Sequence, residues 1–173
     1  MKKQFSILIL MLAFATSAFA QVKVGYMNPG EVLDQLESVS EVETQIDTLI
    51  AQRDRELIAK SNQLQQDFAV YEEGKSVLSA EARATKEQEL LDRNEQIEAD
   101  RENYLNEIRQ RRAQLMEPII GLMDQAIKSV SMELGLDMVL NEITSYGDAI
   151  IFYSSEEKLN ITSLVIEKIK AEQ

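Results

Sequence analysis

The chain has no cysteine, no histidine and no tryptophan, and only two prolines and six glycines. Without cysteine no disulfide forms and no lipid is attached through a thioether. Without cysteine and histidine the common zinc ligands are missing, together with the usual general base and every Ser/His or Cys/His nucleophile pair. No G-x-G-x-x-G, P-loop or H-E-x-x-H motif occurs. Only carboxylate, lysine or tyrosine chemistry is left, and no pattern gathers such groups into a pocket. The sequence therefore reads as a non-enzyme without cofactor or metal.

Positive charge is also scarce. Eighteen lysines and arginines stand against 30 acids, a formal charge of −12. That balance argues against a basic surface for nucleic acid or an anionic membrane. A long apolar run occurs once, at the start. Met1-Lys2-Lys3 is basic, Phe5 to Ala15 is nearly all apolar, and Ala18-Phe19-Ala20 has small residues where a signal peptidase needs them. Residues 1–20 are read as a secretory signal cut between Ala20 and Gln21. The run is short for a membrane anchor, and no later segment is apolar enough to span a bilayer. The expected mature chain is extracytoplasmic, makes no stable membrane insertion, and carries −14 once Lys2 and Lys3 are gone.

What the chain does have is a long stretch rich in Gln, Glu, Arg, Leu and Ala, residues 39–117, with no proline and a single glycine. These residues favour helix. The break falls in "YEEGKSVLSAEAR", where Gly74 can end one helix and Ser79 can cap the next. Two antiparallel arms folding back near position 77 would set Val39 against Leu115, Ile46 against Ile108 and Ile50 against Tyr104. Leu57 would face Ile97, and Leu64 would face Leu90. These positions alternate by four and three, the seam spacing of a coiled coil. Two layers break the pattern, Arg53 against Arg101 and Lys60 against Asn94. They predict an arm that loosens toward its tip, with faster exchange over 60–95 than over 39–50.

The flanks, residues 21–38 and 118–173, read as a small α/β body. Val22, Val24 and Tyr26 alternate in "VKVGYM", a strand pattern, and Asn28-Pro29-Gly30 turns the chain into the first arm. "LDMVLNE", with Met138 and Leu140, and "AIIFYS", with Ile150, Ile151 and Phe152, read as two further strands around a turn at Ser145, Gly147 and Asp148. The second is apolar on both faces and is expected to be covered on both sides. A helix ended by Gly135 precedes them, and a last helix from Asn160 or Thr162 packs Leu164, Val165 and Ile169. Pro118 sits among Leu115, Ile119 and Met123 at helical spacing. It is placed as the kink where arm meets body. Three strands around so small a core leave open edges, which assembly with other copies would cover.

"VKVGYMNPGEVL", the long hairpin, "EPIIGLMDQAIKSVSMELGLDMVLNE" and "AIIFYSSEEKLNITSLVIEKIK" together resemble the Skp/OmpH-like family of periplasmic chaperones. The resemblance spans essentially the whole mature chain. It implies an α+β, predominantly helical fold, with three strands per subunit and a homotrimer whose strands pool into a β-barrel. Helical hairpins would project from that barrel as tentacles. It further implies an ATP-independent holdase in the periplasm that keeps unfolded outer-membrane proteins from aggregating. The outer-membrane assembly machinery would be a further partner. The acidity departs from the basic character of the best-known members, so no lipopolysaccharide site is carried over.

Phe68, Tyr71, Val77 and Leu78, near the tip, are the candidate client-binding residues; hairpin packing accounts equally for Phe68 and Tyr71. Arg109, Arg111 and Arg112 form the densest basic cluster, and pairing across the hairpin, Arg111 with Glu43, explains them better than an acidic client does. Asn160-Ile161-Thr162 fits a helix cap better than a glycosylation acceptor. The alternative function is a structural or adaptor coiled coil of the envelope that binds one folded partner.

Overall fold

The computed structural model describes residues 22–155 and 159–172. The proposed signal and its cleavage point, Ala20 and Gln21, lie outside them. Strand β1 (Val24–Met27) leads into a short helix α1 (Pro29–Asp34). Asn28 caps α1, its side-chain oxygen accepting from the Glu31 amide at 3.3 Å, and Pro29 falls where a missing amide costs nothing. The chain then extends at Leu36, and α2 (Glu37–Gly74) begins. The arm helix is therefore separate from the helix after Pro29, and it starts two residues before the expected boundary at 39.

Gly74 ends α2 with a right-handed φ of −87°, so its freedom at positive φ is not used. A single 3₁₀ turn (Lys75–Val77) carries the chain to Ser79, whose hydroxyl accepts from the Ala82 amide at 3.1 Å. Helix α3 (Ala80–Leu134) then runs for 55 residues, about 80 Å at ~1.5 Å per residue. It contains Pro118 without interruption, so the returning arm and the first body helix are one element. Pro118 is exposed, with Ile119 buried beside it. Gly135 closes α3 in the left-handed region (φ 62°), and the amides of Gly135 and Leu136 return to the Met132 and Ser131 carbonyls.

Strand β2 (Met138–Asn141) pairs parallel with β1, Val24 beside Met138 and Tyr26 beside Leu140, so the whole hairpin is the crossover between them. Helix α4 (Thr162–Glu172) completes the body. The third strand expected at 149–154 is not formed. Ala149 makes one isolated bridge to Ile143, and the Ile150 and Ile151 amides both donate to the Glu142 carbonyl. The turn before it is formed, with Gly147 at φ 88°. A strand needs a continuous ladder, and beyond the Ala149 bridge the backbone bonds of this segment, among the described residues, both end on the one Glu142 carbonyl.

The core gathers Met27, Val32, Leu36, Val42 and Ile46 with Ile119, Met123, Ala126 and Val130 of α3, Ile161 just before α4, and Val165 and Ile169 of α4. On α3 these positions recur at four, three and four, one helical stripe. Leu164 is exposed, and Ile161 takes its expected place in the core. The eight residues expected in the core of a trimeric body are not part of the core of the single chain. Val22, Met138, Leu140, Ile150 and Phe152 are exposed, while Val24, Tyr26 and Ile151 are half-buried. Side chains alternate across a sheet, so Val24, Tyr26, Met138 and Leu140 share the face turned away from the core.

Candidate functional site

Two surfaces stand out, one at each end of the molecule. At the body end, the outward sheet face carries Met138 and Leu140, and the segment after Gly147 adds Phe152 and Tyr153, 89% and 84% exposed. An aromatic side chain buries some 150–250 Å² when covered, and such exposure of two adjacent ones leaves a large apolar area in water.

At the far end lies the hairpin. Along α2 the seam has two columns. Ile50, Leu57, Leu64 and Tyr71 recur every seven residues and form the apolar one. Only Tyr71 among them is fully buried. Its hydroxyl donates to the Glu87 carboxylate, which pushes the tyrosine pKa up to about 12. With Leu90 of α3 it closes the distal part of the arm, while the buried Ile97 lies nearer the middle, beside Lys60 and Leu64.

The other column is Ile46, Arg53, Lys60 and Asp67. Arg53 does not confront Arg101. It donates to Glu107 at 2.7 and 2.9 Å and to Glu56 on its own helix, and its guanidinium lies 4.9 Å from the Tyr104 ring centre. Arg101 pairs instead with Glu98. Lys60 reaches Asp100 at 2.5 Å rather than Asn94, and this bond, followed by one from Gln96, holds the Asp100 carboxyl below its ordinary range. Asp67 accepts from Arg93. The two layers expected to be polar or repulsive are ion-paired. At the root, Arg112 rather than Arg111 bridges to Glu43, at 2.9 Å. Tyr71 and Leu90 are buried in the distal part, and between Ile46 and Tyr71 no residue of α2 is buried.

Beside the distal closure is a mostly apolar concavity of about 700 Å³ lined by Leu64, Phe68, Tyr71, Leu90 and Leu91, with Gln65, Glu72, Lys75, Glu87 and Asn94 also on its wall. Of the expected client-binding residues, Phe68 and Val77 are exposed, Val77 by 85%, Leu78 is half-buried and Tyr71 is buried. Leu91 and Val70, both exposed, were not singled out in the sequence. The adjacent pair Leu90-Leu91 held the signal, because consecutive helical residues cannot both face one seam.

Among the described residues no group of three or more acids could hold a metal ion, and no helix is long and apolar enough to cross a membrane.

Residues 23–169 match the family described as outer membrane protein (OmpH-like). The "Chaperone protein Skp" of Photorhabdus laumondii is 26% identical over 159 residues, 92% of each chain. That of Pectobacterium atrosepticum is 24% identical over 161 residues, 93% of each. The crystal structure of an OmpH-like protein from Caulobacter crescentus superposes with a TM-score of 0.73 at 13% identity, covering 89% of this chain and 87% of the other. A small sheet, a long helical hairpin and a match over nearly the whole described chain agree: the chain belongs to the OmpH-like family.

Proposed function

We propose that the protein is a periplasmic, ATP-independent holdase chaperone, exported through a cleaved signal, that keeps unfolded outer-membrane proteins from aggregating in transit to the outer-membrane assembly machinery. The observation that carries this reading is that apolar surface is left uncovered at both ends of one chain. The outward sheet face and Phe152 are suited to other copies of the chain, as strands of a homotrimeric barrel. The distal concavity at Phe68 and Leu91, with Val77 at the tip, is suited to apolar segments of an unfolded client. An adaptor that binds one folded partner needs neither an uncovered sheet nor a wet, two-column arm.

Capture is apolar in this account, because a chain of −14 after signal loss repels acidic clients. Screening relieves repulsion between exposed charges, so affinity for an acidic unfolded barrel should hold steady or tighten from about 0.05 to 0.3 M salt. Phe68→Ser with Val77→Ser should weaken it about fivefold, the equivalent of roughly 1 kcal/mol of lost apolar burial. Arg111→Gln should matter less. Fluorescence titration of a labelled client across salt tests this, and a steep loss of affinity with salt would overturn apolar capture.

A further inference from the structure

The ion pairs of the arm are not scattered. Arg53–Glu107, Lys60–Asp100 and Asp67–Arg93 step by seven along both helices, so all three occupy one column of the seam. In each pair one partner is well shielded by the arm and the other lies open to solvent. The span they bridge is also where α2 has no buried residue, between Ile46 and Tyr71. Ile58 and Phe68, within that span, are exposed. The root is held by Val42 and Ile46 and the distal part by Tyr71 and Leu90, while Ile97 of α3 is buried beside Lys60 and Leu64 in the span between them. Two apolar closures therefore flank a middle in which half of the seam is ionic.

We infer that this ionic column makes the middle of the arm a salt-responsive hinge, which loosens as ionic strength rises while the root and distal closures stay packed. The physical basis is the range of electrostatic attraction. The Debye length falls from about 10 Å at 0.1 M salt to about 3 Å at 1 M, and apolar contacts are not weakened by the same change. In the middle span the apolar column alone remains, made of the half-buried Ile50, Leu57 and Leu64 with the buried Ile97 of α3. The distal part then moves as a packed unit about residues 51–67. Its use, a wider space between arms for larger clients, rests on the holdase reading; the hinge itself does not.

Hydrogen exchange on the full mature chain without client tests the hinge alone. Between about 0.05 and 0.5 M sodium chloride, amides of residues 51–67 should exchange at least ~3-fold faster, while those around Ile46 and Leu90 change little. In a variant with Arg53→Gln, Lys60→Gln and Asp67→Asn, the same amides should exchange fast at low salt and lose the salt response. Helix content by circular dichroism confirms that the variant is folded; if it is not, the parent's response decides. A parent whose middle span ignores salt, or a folded variant that keeps the response, overturns the hinge. A failure to hold clients leaves this readout untouched, so the two readings fail separately.

Discussion

Arg53 shows how a charged residue can occupy a seam position without destabilising it. Its guanidinium meets Glu107 across the hairpin and Glu56 on its own helix, and its flat face lies against Tyr104. Bidentate pairing and ring contact use the planar fork that lysine lacks. Lys60, two turns further out, is a point charge paired chiefly with Asp100. Ile46 is the apolar counterpart in the same column and is fully buried. Ile46→Ala should cost about 2–5 kcal/mol, lost transfer energy plus a cavity, whereas exposed Ile58→Ala should stay within about 0.5 kcal/mol. Urea unfolding of the two variants checks the contrast. Ile46 was legible in the sequence because it stands seven residues after Val39 and four before Ile50, on the apolar seam. Ile161 was not, because it sits between two capping residues. Asn160 accepts from the Thr162 amide and hydroxyl, at 3.0 and 2.6 Å, and nothing in that local pattern signals burial.

At the scale of elements, the two arm helices and their turn follow from local chemistry, a Ser79 cap and an uninterrupted helical composition. Their charge pairing did not follow. Apolar spacing alone set Arg53 against Arg101, but long charged side chains reach about a turn along the partner helix, and opposite charges select the contact. The third strand failed for another reason. "AIIFYS" has the composition of a buried strand, yet within the chain its pairing stops at the single bridge between Ala149 and Ile143. The ion pairs also carry a pH dependence. Lys60 holds Asp100 low, Lys86 holds Glu89 low, and Lys168 holds Glu133 low where α4 meets α3. A carboxylate with a lowered folded pKa stabilises above its unfolded value, about 4, and that stability is lost as pH falls through the folded value. Helix content at 222 nm and low salt should therefore hold from pH 7 to about 4.5 and fall below it. Lys60→Met should reduce the fall in the arm.

For the whole molecule, the account joins an assembly surface to a holding surface. Leu140 is exposed on the outward sheet face and belongs to no core contact within the chain. Leu140→Asp should leave the helices intact in circular dichroism, because the new charge faces water in a single chain. In an assembly that buries this face, an unpaired carboxylate is costly, so sedimentation should show dissociation to monomers. A parent that sediments as a monomer at micromolar concentration would remove the assembly. The most direct test of the central claim is aggregation of several unrelated outer-membrane β-barrels diluted from urea, followed by light scattering without nucleotide. The account predicts that the parent suppresses scattering for all of them near equimolar assembly, and that Leu140→Asp does so poorly. Scattering that rises unchanged in the presence of the parent would contradict it.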